Sequence, residues 1–404
     1  MRILVVNSDC IFTNTSANLC HQAYIHGLCE AGHQVDLLCS DSQYRQLDPS
    51  MKLPEEVSVH TYPGLSLYEK LSIRKYTHAA PVQAGVPTTS SSHRSPLHEL
   101  VRWCKKRVLA LYGIHGIYAT FVRHASKFRS DVSYDYVLSL STPTSSHLLA
   151  YKLIHSGHVK TKHWIQIWED PWYSDAYGFN GKEKIRKEEQ RLLAFADKIC
   201  YVSPLTLQNQ KRLFPESAHK MFWQPLPYYY KEETAAAPVS GTHYGYFGDY
   251  IPEARNLEPF YQAAKEAKID LTICGSPSNL FASTDTIHIH PRLPLQELRP
   301  IEDRTNVLIF LCNRKGGQIP GKIYQYSATT KTVLFILDGT EEEQQVLQDY
   351  FGPLNRYVFC QNNKADILRA IRQIEEGQLG AIKNEPLECF NPVTTIQNIL
   401  AEGQ

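Results

Sequence analysis

Short apolar runs alternate along the chain with stretches whose apolar residues recur at helical spacing. Arg2–Val6 reads as a buried strand, Ala17–Ala31 as a helix stopped by Gly32, and Gln34–Cys39 as the next strand. Val57–Tyr62 predicts a third strand. Residues 78–97, rich in Pro, Ser and Thr and without a period, predict a mobile loop before a helical region over about Leu97–Arg129. The pattern then runs strand Tyr136–Leu140, helix Ser145–Ser156, strand His163–Trp168, helix Lys182–Ala196 and strand Lys198–Val202. The second half repeats it. Tyr244–Gly248, Ile269–Cys274, Thr286–His290, Asn306–Cys312, Thr332–Leu337 and Arg356–Cys360 read as strands. Leu257–Ala267, Gly321–Ala328, Glu341–Tyr350 and Ala365–Glu376 read as helices.

Strand–helix alternation implies parallel sheets covered by helices on both faces. Found twice, it implies an α/β protein of two Rossmann-like, doubly wound domains facing a central cleft. The expected boundaries are an N-terminal domain over 1–225, a C-terminal domain over 241–380, and a tail over 381–404 forming a helix that packs back on the first domain. The patternless stretch Gln224–Ser240 is the expected linker. Ligands of such sheets bind outside the carboxyl ends of the strands, so the loops there are the places to look for chemistry.

Composition narrows the classes. Apolar residues make up 43% of the 404 residues and aromatics 11%, too much for a disordered chain. No apolar run approaches the ~20 residues of a membrane span, and Met1–Asn7 turns polar too soon for a signal peptide, so the expected location is cytoplasmic. The ten cysteines are scattered with no C-x-x-C pair, which suits free thiols in a reducing compartment rather than a metal site or disulfide framework. The net charge of +1 gives no reason to expect a nucleic-acid partner. It conceals a local concentration, however. Residues 101–130 hold seven Lys/Arg and no acid, leaving −6 for the remainder.

Three motifs are missing: G-x-G-x-x-G after the first strand, a Walker A loop, and any D-x-D pair. The last absence favours a site that neutralises phosphate with side-chain cations and backbone N–H groups. Such groups follow the strong strand Asn306–Leu311, in the run Cys312–Tyr326. Gly316 and Gly317 let backbone approach a ligand closely. Pro320 and Gly321 suit a helix start, and Lys322 sits in the first helical turn against the dipole preference, which points to a ligand. Arg255 and Asn256 follow the first strand of the same domain, where a guanidinium offers a bidentate fork to phosphate. A surface arginine paired with Glu253 or Glu258 is the plainer alternative.

Taken together, the layout resembles the GT-B glycosyltransferases of the large family 4 group. The pieces are Arg2–Asn7, Ala31-Gly32-His33-Gln34-Val35, Glu169-Asp170-Pro171-Trp172, Tyr246-Phe247-Gly248 with Arg255-Asn256, Cys274-Gly275, and Ile319–Tyr326. The resemblance implies transfer of a sugar, with retention and without metal or other cofactor, from a nucleotide sugar held by the second domain. The acceptor would be a saccharide or lipid-linked saccharide on the first. Arg255 and Lys322 match the cations that stabilise the leaving diphosphate. Gly248, Asn256, Gly275, Gly316, Gly317, Pro320, Gly321 and Gln325 complete the expected donor site. Gln325 stands where the family usually has a Glu that accepts from ribose hydroxyls, and the loop after the first strand lacks the usual Gly-Gly pair.

Asp170, at the carboxyl end of strand His163–Trp168, is the expected catalytic residue of the first domain, with an Asp that starts the turn before Pro171 as the plainer alternative. Thr13, Thr15, Ser16 and His147 are further acceptor-side candidates, His147 with a structural role as the alternative. Arg102, Lys105, Lys106 and Arg107 flank one side of the uncharged stretch Val108–Val122, and Arg123 and Lys127 the other. Basic flanks around an aromatic-rich apolar centre suit peripheral contact with the anionic inner face of the plasma membrane. A core helix with solvated basic ends fits the same residues. The expected activity is therefore glycosyl transfer in surface-polysaccharide synthesis (lipopolysaccharide or capsule). A catalytically silent GT-B scaffold subunit and a sugar-nucleotide epimerase are the alternatives.

Overall fold

The computed structural model describes residues 1–70, 107–108, 111–175, 183–232 and 241–403. The expected loop 78–97 and the candidates Arg102, Lys105 and Lys106 lie outside them. The chain divides into two compact units. One comprises Met1–Val202, Leu207–Gln224 and Pro392–Gln404, the other Ser203–Thr206 and Pro225–Asn391.

The first unit is built on seven parallel strands: β1 (Arg2–Asn7), β2 (Gln34–Ser40), β3 (Ser58–Tyr62), β4 (Ser133–Ser141), β5 (Lys160–Trp168), β6 (Lys198–Tyr201) and β7 (Met221–Trp223). Their order is β3-β2-β1-β4-β5-β6-β7. Five of the six β1 residues are buried, as a central parallel strand covered on both faces requires. Helix α1 (Ser16–Glu30) follows β1, α2 (Ala119–Ala125) precedes β4, and α3 (Ser145–His155) and α4 (Glu183–Phe195) follow β4 and β5. Helix α5 (Pro204–Leu213) was not anticipated.

The second unit holds β8 (His243–Phe247), β9 (Asp270–Cys274), β10 (Ile287–His290), β11 (Val307–Leu311), β12 (Thr332–Leu337) and β13 (Tyr357–Gln361). Their order is β10-β9-β8-β11-β12-β13, again all parallel. Its helices are α6 (Glu258–Ala267), α7 (Leu295–Arg304), α8 (Lys322–Tyr326), α9 (Glu341–Phe351) and α10 (Lys364–Glu375). Phe260, Ala263 and Ala264 of α6 and Ile367, Ala370 and Ile371 of α10 cover one face of this sheet, packing on Tyr244, Ile273 and Ile309. The last helix, α11 (Pro392–Glu402), returns to the first unit. It packs on α1 so closely that a Cβ on Gly27 would lie 2.5 Å from the Pro392 carbonyl.

Three expectations need correction. Among the described residues, the helical region expected to reach Arg129 is broken after Arg107 and Val108: Gly113 (φ 70°) and Gly116 (φ 57°) are left-handed, and the chain turns α-helical again over Ala119–Ala125 after a short 3-10 turn. The apolar stretch Val108–Val122 is accordingly divided, with Phe121 and Val122 in the core and Leu111 85% exposed. The helix expected over Gly321–Ala328 has only five residues, which leaves it a weak dipole. Helix α7 escaped the sequence pattern because Pro300 lies inside it. No helix of the described residues is long and apolar enough to cross a membrane.

Candidate functional site

In both sheets the connections reverse direction at the centre, between β1 and β4 and between β8 and β11. Ligands of doubly wound sheets sit at that switch point. The loops following β8 and β11 are those that carry Arg255, Gly316, Gly317, Pro320, Gly321 and Lys322.

The two loops are tied together. Arg255 Nε donates to Asn313 Oδ1 at 2.7 Å, Arg255 Nη1 to the Asp249 carbonyl at 3.4 Å, and the Arg314 N–H to the Ala254 carbonyl at 2.8 Å. Asn313 Nδ2 in turn donates to the Gln318 carbonyl at 2.9 Å. Arg255 is half-buried and its fork is held at the carboxyl edge. The Asn256 carbonyl accepts from Asn362 Nδ2 at 2.9 Å, so that residue fixes backbone. The loop after β9 joins them: Gly248 N–H donates to the Cys274 carbonyl, and Ser276 N–H to Asp249 Oδ1. A Cβ on Gly275 would lie 1.8 Å from the Gly248 carbonyl oxygen, so only glycine fits there. Gly316 and Gly317 have φ of 100° and 68°. The Gly317 carbonyl accepts from Ser203 Oγ at 2.6 Å, and a Cβ on Gly317 would lie 3.0 Å from Leu205 Cβ, so this glycine serves packing as well as the loop.

Lys322 extends from the start of α8 to within 3.6 Å of Glu302 Oε1 on α7. Its ammonium lies 5.7 Å from the Phe247 ring centroid and 5.8 Å from that of Tyr326. The Lys322 side chain is 44% exposed, and partial desolvation beside these rings lowers its pKa below the usual lysine value, against the opposing pull of Glu302. Arg292, in the loop after β10, pairs with Asp249 Oδ2 at 3.6 Å and adds a third cation to this edge that the sequence reading missed. Gln325 points elsewhere. Its carboxamide oxygen accepts from the N–H groups of Tyr229 (3.0 Å) and Tyr230 (3.4 Å), and its Nε2 donates to the Tyr230 carbonyl at 2.8 Å.

In the first unit, the expected acceptor-side residues serve the loop itself. Thr13 Oγ1 donates to the Cys10 carbonyl and accepts from Asn18 Nδ2. Thr15 is the N-cap of α1, accepting from the Asn18 N–H at 3.1 Å. Ser16 opens the helix and is exposed. Buried Asn18, which the sequence reading passed over, organises the loop, bonding Cys10, Thr13 and Asn7. His147 is fully buried, hydrogen-bonded to Ser139 Oγ at 2.7 Å and packed on Trp168. Burial holds its pKa well below the imidazole range. The structural alternative describes it.

Asp170 is half-buried and stands two residues after β5, at the carboxyl edge. Its neighbour Glu169 turns inward, 3.1 Å from Nε2 of the buried His21, and burial raises the Glu169 pKa. Arg123 and Lys127 are exposed around the α2 end, and Arg107 is exposed as well.

Solved structures resemble the chain over nearly its whole length, among them the three that follow. Sucrose-phosphate synthase from Thermosynechococcus elongatus has a TM-score of 0.55 at 13% identity, covering 100% of this chain and 96% of that one. Arabidopsis thaliana UGT89C1 complexed with UDP-L-rhamnose has a TM-score of 0.52 at 11% identity, covering 99% and 98%. A glycosyltransferase from Rickettsia africae ESF-5 has a TM-score of 0.50 at 10% identity, covering 100% and 94%. The fold is GT-B. No protein-family model matches the chain, and no curated protein does.

Within this GT-B frame, the residues that sequence reasoning missed are Asn313, Glu302, Arg292, Asn18 and His21. Asn313 alone gave a usable signal, standing beside the glycine pair immediately after the most apolar strand. Asn18 acts within its own loop, and Glu302, Arg292 and His21 meet partners on elements remote in sequence.

Proposed function

We propose that the chain is a glycosyltransferase of the family 4 type, moving a sugar from a nucleoside-diphosphate sugar to a hydroxyl of a saccharide acceptor. The carrying observation is the pair of loops at the β8/β11 switch point, where Arg255 and Lys322 stand with Gly316 and Gly317 at one sheet edge. Two fixed cations meet the need of the reaction: negative charge develops on the leaving diphosphate as the glycosidic bond breaks, and preorganised positive groups stabilise it. Arg255 has its fork oriented by Asn313 before ligand arrives. Lys322 exchanges Glu302 for a phosphate oxygen. With both charges supplied by side chains, we propose a metal-independent transfer, and a retaining one because that is what the family 4 resemblance implies. The UDP-L-rhamnose in the Arabidopsis structure is a donor of the class proposed.

The first unit is proposed to hold the acceptor near Asp170, a lipid-linked saccharide of surface-polysaccharide synthesis. A cytoplasmic enzyme meeting the inner leaflet through Arg123, Lys127 and the basic residues before them fits that acceptor. The second reading, a catalytically silent GT-B subunit, is favoured by one observation, the engagement of Gln325 by backbone. Thermal shift of the whole chain with UDP, GDP and ADP separates the two. The enzyme reading expects a rise in melting temperature with at least one of them, lost in Lys322→Ala and Arg255→Ala. No rise with any would sink it.

A further inference from the structure

We propose that Tyr230 contacts a ring of the nucleotide sugar beside Lys322, and that Gln325 is the residue that positions it. This rests on the nucleotide-sugar reading above. The carboxamide of Gln325 uses both its polar atoms on two consecutive residues, accepting from Tyr229 and Tyr230 N–H and donating to the Tyr230 carbonyl. A carboxylate has acceptors only, and glutamate here would set an anionic oxygen against the Tyr230 carbonyl. The choice of Gln at 325 therefore follows from the backbone it holds, and its polar atoms are occupied by protein.

What the clamp presents is the Tyr230 ring. Leu226 and Tyr228 of the same segment are buried, whereas Tyr230 is 44% exposed. The Arg299 guanidinium lies 5.8 Å from its centroid. One turn further along α7, Glu302 pairs with Lys322, whose ammonium faces the rings of Phe247 and Tyr326. Helix α7 thus links an exposed aromatic ring to the phosphate-binding lysine through its own cation and carboxylate. A ligand anchored by its diphosphate at Lys322 carries a ring to either side of it, and an aromatic face binds such a ring irrespective of its hydrogen-bond pattern.

The test is calorimetric titration of the full chain with UDP, GDP and ADP, together with amide exchange over residues 226–232. Tyr230→Ala is expected to weaken the best-bound nucleotide about tenfold with little change in melting temperature. Gln325→Glu is expected to weaken it similarly and to speed exchange at Tyr229 and Tyr230. Unchanged affinity in Tyr230→Ala would overturn the contact, and tighter binding in Gln325→Glu would show that position 325 faces the ligand instead. Parent protein binding none of the three nucleotides would overturn the nucleotide-sugar reading and the contact with it. Exchange in Gln325→Ala still decides the clamp: unaltered rates at Tyr229 and Tyr230 refute it.

Discussion

Arg255 and Asn313 lie 58 residues apart, and the 2.7 Å hydrogen bond between them joins the loop after β8 to the loop after β11. The bond fixes a guanidinium at the switch point, and with Nη1 on the Asp249 carbonyl it is Nη2 that remains to meet a ligand. Asn313→Ala is expected to leave the fold intact but to free the guanidinium, weakening nucleoside-diphosphate binding by about threefold to tenfold, on the order of 1 kcal/mol. Calorimetric titration of the variant against the parent checks this.

In the proposed donor site Glu302 competes with phosphate for Lys322. Glu302→Gln removes the competing charge, so binding of nucleoside diphosphate should tighten a few-fold at low salt and less at high salt. Lys322→Ala should reduce turnover by roughly 10²-fold, about 3 kcal/mol of barrier. Opposite signs for these two substitutions at adjacent groups would be hard to obtain from a general loss of structure.

Gly275→Ala tests the close approach of the loops after β8 and β9. A methyl group 1.8 Å from the Gly248 carbonyl oxygen forces backbone apart. The expected cost is about 3 kcal/mol or more of stability, read by denaturant unfolding. Gly157→Ala is a control, because Gly157 has open space around its Cβ position and meets only the strain of its φ of 71°.

Adjacent residues of α4 give stability two pH windows. Burial pushes the Glu189 carboxyl up to about 7, against backbone N–H donors at Tyr173 and Trp172. Its folded pKa exceeds the unfolded value, so its contribution is complete below about pH 4.5 and lost as pH rises to about 7. Glu188 is opposite: burial would raise it, but hydrogen bonds from Arg191 and His115 bring it down to about 2. Its contribution is present above about pH 4.5 and lost as pH falls to about 2. Glu189→Gln should flatten the upper window, worth up to ~3 kcal/mol, and leave the lower one in place. Melting temperatures of both proteins between pH 3 and 8 decide it.

The buried guanidinium of Arg356 holds the turn before β12, donating to the carbonyls of Thr329 (2.8 Å) and Lys331 (2.6 Å). Arg356→Met fills similar volume but leaves those carbonyls unpaired. The expected loss is about 2 to 3 kcal/mol, measured by chemical denaturation.

Most of the secondary structure was legible in the sequence, because buried parallel strands must be apolar throughout and their covering helices must be apolar on one face. Arg2–Asn7, Val307–Leu311 and Thr332–Leu337 are such runs, and the alternation around them specifies two doubly wound sheets. The glycine pair with Lys322 was legible too, since loop chemistry after a strong strand is local in sequence. What only the tertiary structure decided is where side chains go once remote elements meet. Lys322 faces Glu302, Arg255 faces Asn313, and Gln325 clamps Tyr229 and Tyr230. His147 is a core residue because β4 and β5 bring Ser139 and Trp168 against it. A hydrophobic pattern records which face of an element is buried. It carries no record of which polar partner, 20 to 100 residues away, stands opposite a given side chain, because that pairing exists only after the sheets have closed.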